Sequence, residues 1–206
     1  MCALIPSPRL VTRTRLCLVI HRAEVRKPTN TGVLATECLA NSHVLVRGHQ
    51  LTPNDRFQIP DGVVTQPVLL FPHEGAIDLT AFARSSIPIT LVVPDGNWRQ
   101  ASKVRQRVHG LDQIPCVTLP RAAPSTYRLR SEAHDTGLAT VEAIARAFGI
   151  LEGPQVEAAL DRVFCAMVER TLWARGEIDA CDVKAGIPAG VERHDPTSGV
   201  PAAPLR

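Results

Sequence analysis

Five residues in a row, Asp95-Gly96-Asn97-Trp98-Arg99, bring together a carboxylate, a tight turn, an indole and a guanidinium. The run before them, residues 89–93, is apolar and rich in β-branched side chains, so it reads as a buried strand. Pro94-Asp95-Gly96 breaks that strand, and a helix restarts at Trp98. The group therefore stands at the carboxyl end of a strand, where open α/β sheets hold their ligands. Asp95 is the residue expected to carry chemistry, although an Asp-Gly turn or a helix cap would use the same residue type. On the helix that follows, Ala101, Val104, Val108 and Leu111 recur at helical spacing and should pack on the sheet. Arg99, Lys103 and Arg107, spaced by four, form a cationic stripe suited to a phosphate backbone, or else a solvated face.

Two later stretches add to this group. Residues 121–130 carry three more cations and the only tyrosine, Tyr127; a Tyr flanked by arginines in a loop has more value in binding than in a core. Residues 137–143 open a helix whose first backbone N–H groups suit an anionic ligand group.

The elements that must position these residues alternate. Strands are expected over 14–20, 44–46, 68–71, 89–93 and 116–119, and helices from about Thr31, over 77–84, after Trp98, over 139–148 and over 154–174. Alternation of this kind defines an α/β fold with a mostly parallel sheet and helices on both faces. The turns loaded with chemistry follow the last three strands, so the ligand crevice should be built from three adjacent strand ends. The dinucleotide and P-loop fingerprints are both absent. One domain is expected over residues 1–182, followed by a Pro-rich, aperiodic tail over 183–206 expected to be disordered.

Composition narrows the class. At 206 residues with 45% apolar content the chain can bury one full core. Its net charge is only +3, but six Lys/Arg fall within the first thirty residues against the single Glu24, which favours an anionic partner over part of the surface. The six cysteines lie far apart with no C-x-x-C pair, matching neither a zinc ribbon nor a secreted disulfide framework. No signal peptide and no membrane-spanning run is evident, and a cytoplasmic protein with reduced thiols is expected.

Asp95-Gly-Asn-Trp-Arg-Gln-Ala101, Ser125-x-Tyr-Arg-Leu-Arg130 and Gly137-Leu-Ala-Thr-Val-Glu-Ala143, in that order, resemble the DTW-domain family, and Asn30-Thr31-Gly32 and Leu70-Phe71-Pro72 match it as well. The resemblance covers most of residues 10–175. It implies a SPOUT-like fold with a C-terminal knot, and a tRNA-uridine aminocarboxypropyltransferase. S-adenosylmethionine would supply a 3-amino-3-carboxypropyl group to uridine N3 in tRNA, with methylthioadenosine released. Asp95, its pKa raised by a closed site, would take the N3 proton, and Trp98 would stand beside it.

The cofactor is then expected against Leu70, Phe71, Pro72, Pro94, Asp95, Gly96, Leu119, Pro120, Tyr127, Arg128, Leu138, Ala139 and Thr140. RNA is expected along Arg26, Lys27, Arg99, Lys103, Arg107 and Arg130. A SAM-dependent RNA methyltransferase and a non-catalytic RNA-binding module are the alternatives. The chain departs from the family's pattern at Asn97, where the family has Thr; Asn should still hydrogen-bond its turn. It also begins with a single cysteine, Cys2, where family members carry a zinc-type cluster, so no metal is expected.

Overall fold

The structure, a computed structural model, describes residues 5, 7–25, 27, 30–48, 56–120, 125 and 137–193. Strand β1 (Arg15–His21) and strand β5 (Ile89–Asp95) are apolar runs buried on both faces, as strands in the middle of a parallel sheet must be. They pair in parallel, with Arg15 opposite Thr90 and Ile20 opposite Asp95. Around them stand β2 (Ser42–Arg47), β3 (Gln66–Leu70), β6 (Cys116–Thr118) and the two-residue β4 (Ile77–Asp78). The order across the sheet is β2-β1-β5-β3-β6-β4, and every pairing is parallel. The ends of β5, β3 and β6 are therefore neighbours, as the loaded turns led one to expect.

Side chains alternate between the two faces of a strand, and the core divides accordingly. Leu16, Leu18, Leu91 and Val93 point to one face, where they meet α1 (Thr31–Cys38), α4 (Thr140–Glu152) and α5 (Pro154–Ala174). Cys17, Val19 and Val92 point to the other, where Val104, Val108, Leu111 and Phe57 cover them. The first layer is thick and helical. The second consists of two short helices, α2 (Trp98–Ala101) and α3 (Val104–Arg107), and irregular chain. In α5, Val156, Leu160, Val163 and Met167 are all buried, the stripe expected from their spacing. At the opposite end of the sheet, the Glu152 carboxylate accepts from the Thr14 N–H (2.7 Å) and hydroxyl (2.5 Å), tying the end of α4 to the entry of β1.

Two local expectations are corrected. Residues 77–84 do not form an α-helix: Ile77–Asp78 pair with β6 as a strand, and a 3-10 turn follows over Leu79–Phe82. Asp78 decides this, because its side chain accepts from the Thr80 N–H (2.8 Å) and hydroxyl (2.6 Å) and starts the turn afresh. The helix after Trp98 is broken at Ser102–Lys103 into α2 and α3; the backbone at Lys103 (φ −90°, ψ −6°) departs from helical values and interrupts the ladder there. Within the expected tail, residues 183–186 are held: Val183 is buried, and Arg170 donates to the carbonyls of Gly186 (2.8 Å) and Ala185 (3.2 Å). Residues 121–124, 126–136 and 194–206 lie outside the described residues, and with them the path of the expected knot and the end of the tail.

Arg170 is itself buried, so truncating it removes two charge-assisted bonds and leaves a gap beside α5. Arg170→Ala should cost about 1–3 kcal/mol and speed amide exchange in residues 183–186; hydrogen–deuterium exchange by mass spectrometry checks this.

Candidate active site

Asp95 is the last residue of β5 and only 4% exposed. Burying a carboxylate is costly unless donors meet it, and here two do. One oxygen accepts from the Thr140 hydroxyl at 2.6 Å, and the other from the Asn30 side-chain amide. Asn30 is the N-cap of α1, its Oδ1 accepting from the Val33 N–H at 3.0 Å, and Thr140 is the first residue of α4. The carboxylate therefore lies at the amino ends of two helices, where an anion is favoured by both dipoles. Next to Asn30, Thr31 accepts from the Val141 N–H at 3.4 Å, closing a second link between the same helix ends.

The junction leaves no spare room. A Cβ at Gly32 would lie 2.9 Å from Leu18 Cδ1 and 3.1 Å from Asp95 Cγ, so glycine lets α1 approach β1 and β5 this closely. The N-terminus of α4 is also partly satisfied from within. Glu142, buried, accepts from the Ala139 N–H at 2.9 Å and from the Ser125 hydroxyl at 2.5 Å. Of the amides expected to meet an anionic ligand, those of Ala139 and Val141 thus already have partners.

The turn after Asp95 crosses the edge of the sheet. Asn97 caps α2, its Oδ1 accepting from the Gln100 N–H at 2.9 Å, while Gln100 Oε1 accepts from the Asn97 N–H at 3.0 Å. Asparagine thus makes the bond expected of this position. Trp98 remains 45% exposed and meets Phe71, just beyond β3, edge-on with ring centroids 5.5 Å apart. Of the other residues expected around a cofactor, Leu70 and Ala139 are buried, while Phe71, Pro94, Leu119, Leu138 and Thr140 are half-buried. Pro72, Gly96 and Pro120 are exposed. All of these belong to the ends of β3, β5 and β6 or to the start of α4, and they make one continuous edge. Tyr127 and Arg128 lie outside the described residues.

On the second face, a cavity of about 470 Å³ is lined by His21, Arg47, Asn97, Arg99, Gln100, Lys103 and Arg107. The three stripe cations thus share one cavity despite the break in their helix. His21 and Arg47, the last residues of β1 and β2, are in register with each other. Arg47 is buried, and its guanidinium donates to the Gln100 carbonyl at 2.7 Å. Burial, then Arg47 and Arg22, push the His21 imidazole below its usual range. Of the remaining RNA candidates, Lys27 is exposed and pairs with buried Glu24 at 2.7 Å, and Arg26 and Arg130 lie outside the described residues.

Sequence reasoning missed Asn30 and Thr31 as partners of Asp95, and His21 and Arg47 as partners of the stripe. Asn30 carried a signal, as a capping residue before a helix, but nothing local linked it to a position 65 residues on. Cys2 lies outside the described residues; among those described, no three His, Cys, Asp or Glu side chains stand close enough to hold a metal ion. Among the same residues, no helix is long and apolar enough to cross a membrane.

An all-parallel sheet with helices packed on it defines an α/β protein of the open-sheet kind, a class that holds its ligands at the carboxyl ends of the strands. The chain belongs to the DTW domain family, whose profile matches residues 1–172. It is 26% identical over 167 residues to tRNA-uridine aminocarboxypropyltransferase 2 of Drosophila melanogaster, covering 78% of this chain and 66% of that protein. To the protein of the same name from Macaca fascicularis it is 27% identical, over 74% of this chain and 52% of that one. The chain thus spans between half and two thirds of the length of these relatives. Among solved structures, the SAM-dependent rRNA:acp-transferase Tsr3 from Vulcanisaeta distributa matches 79% of each chain with a TM-score of 0.49 and 13% identity.

The Asp95 junction makes two stability predictions. Asp95→Asn replaces one acceptor with a donor facing Asn30 or Thr140 and should lower unfolding stability by about 1–3 kcal/mol. Gly32→Ala forces a methyl group against Leu18 and the Asp95 carboxyl carbon and should cost about 1–3 kcal/mol. Urea denaturation followed by circular dichroism measures both.

Proposed function

We propose that this chain transfers the 3-amino-3-carboxypropyl group of S-adenosylmethionine to N3 of a uridine in tRNA, releasing methylthioadenosine. The observation that carries the reading is the Asp95–Trp98 turn at the shared edge of β5, β3 and β6, set between the start of α4 and the Phe71 ring. Membership of the DTW domain family and the names of the relatives support it.

The residues present fit the cofactor in kind. Leu70, Phe71, Leu119 and Leu138 offer apolar walls for an adenosine. The exposed backbone at Pro72, Gly96 and Pro120 offers peptide groups to its polar edges, and the exposed Trp98 indole offers a face to a cation. When bound, S-adenosylmethionine supplies an electrophilic carbon on its sulfonium; which carbon faces the uridine is a matter of how the crevice seats it. Lys27, Arg99, Lys103 and Arg107 would meet the RNA, together with Arg26 and Arg130.

In this reading Asp95 acts first by position. Its clasp on Asn30 and Thr140 holds the Gly96–Asn97 turn, and with it Trp98, at a fixed place on the edge. Each of its oxygens accepts one bond and keeps a second lone pair, so the N3 proton competes with the Asn30 and Thr140 donors for the carboxylate's charge. The five described cysteines are all free, which suits the reduced cytoplasmic setting proposed for the protein.

The test is nucleoside mass spectrometry after incubating unmodified tRNA with the protein and S-adenosylmethionine. An aminocarboxypropyl mass gain on uridine is the expected result. A methyl gain, or no gain while cofactor binding is intact, overturns the reading. Asp95→Asn should lower turnover about a hundredfold or more. Thr140→Ala separates the two roles of Asp95: turnover falling together with melting temperature marks a positioning group, whereas turnover kept or raised in the folded variant marks a base freed of one donor.

A further inference from the structure

Strand alternation puts His21 and Arg47 on the same face as Val19 and Leu45, opposite the face that holds the Asp95 carboxylate against α1 and α4. Among the described residues the cavity walls supply Arg47, Arg99, Lys103, Arg107 and an imidazole, and no acid. The nearest acid facing His21, Glu24, already accepts from Lys27 at 2.7 Å. Among the described residues no carboxylate pairs with Arg99, Lys103 or Arg107. Concentrating Arg99, Lys103 and Arg107 in a recess whose described lining carries no acid raises the local potential and favours an anion there.

The recess is also built. Arg47 is only 3% exposed and is fixed by its bond to the Gln100 carbonyl, which ties the end of β2 to α2. His21 Nδ1 accepts from the Ala23 N–H at 3.2 Å, which assigns the ring proton to Nε2. A side chain at Gly48 would come within 2.7 Å of that Nε2, so only glycine leaves this edge of the ring unobstructed by a neighbouring side chain.

We propose that this recess, formed by His21, Arg47, Asn97, Gln100, Lys103 and Arg107, seats a phosphodiester group of the RNA, so that the strand crosses the carboxyl edge of the sheet from here to the Asp95–Trp98 crevice. The inference rests on the reading of the substrate as RNA. At about 470 Å³ the cavity takes more than a single phosphate, and Trp98, exposed and next in sequence to the lining residue Arg99, offers a ring to a base of the same strand. A phosphate here would offset the repulsion that His21 feels from Arg47, Arg22 and Arg107. Glu24 is the one group acting on His21 in the opposite sense. Phosphate binding and His21 protonation then favour each other, and RNA affinity rises as pH falls through the range below the ordinary imidazole value.

Fluorescence anisotropy of a labelled, unmodified tRNA transcript, without S-adenosylmethionine, tests this on the full chain. The Lys103→Ala/Arg107→Ala variant, altered only at exposed side chains, should bind about tenfold or more weakly at moderate salt, with a log–log salt slope shallower by about one to two. His21→Gln, folded by circular dichroism, should lose the tightening at acid pH that the parent shows. Unchanged affinity and slope in the double variant overturn the seat. So does inorganic phosphate that binds the parent while RNA binding by the two proteins stays equal, the mark of a free-anion site. The outcomes separate from those of the transferase reading: RNA affinity lost in the variants without any aminocarboxypropyl product keeps the seat and removes the enzyme. Product formed with full RNA affinity in the variants does the reverse.

Discussion

One buried carboxylate holds the functional end of this protein together. Asp95 ends the central strand β5, and its two oxygens reach the amino ends of α1 and α4 through Asn30 and Thr140. A charge taken out of water in this way is tolerated because donors and helix dipoles surround it. The same contact sets three elements relative to one another: the strand, the helix after the first crossover, and the helix that begins the carboxyl-terminal layer. Gly32 supplies the clearance and the Thr31–Val141 bond the second fastening. The turn that carries Trp98 leaves the sheet directly from this fixed point.

Because side chains alternate along β5, the clasp faces one layer and the loaded turn leads to the other. The thick helical layer accounts for much of the buried apolar core and immobilises Asp95. The thin layer, with short α2 and α3, leaves a cationic recess open at the ends of β1 and β2. The carboxyl edge between them is where residues of both layers and three strand ends meet. The thicker core and the open cationic recess thus lie on opposite sides of one sheet.

Much of the fold could be read from the chain. The continuous apolar runs at β1 and β5 admit little besides central parallel strands, and Pro154 with the stripe Val156, Leu160, Val163 and Met167 marks α5 to the residue. The misread segments turn on local backbone events that apolar spacing does not reveal. Asp78 restarts the chain as a 3-10 turn, and the backbone bends at Lys103 between α2 and α3. The holding of residues 183–186 was not legible because their partner, Arg170, is a cation within α5 whose burial depends on what folds over it.

By itself the sequence determined the α/β class and the place of the Asp95–Trp98 turn at a strand end, and it singled out Asp95, Trp98 and the cations after them as candidates. These follow from periodicity and turn chemistry, which act over a few residues. Only the tertiary structure decided what Asp95 touches and which cations converge. Asn30 and Thr140 lie 65 and 45 residues from it, and His21 and Arg47 come beside Lys103 and Arg107 through strand order alone. Local preferences fix what each segment becomes; the packing of the sheet fixes which distant side chains share a site.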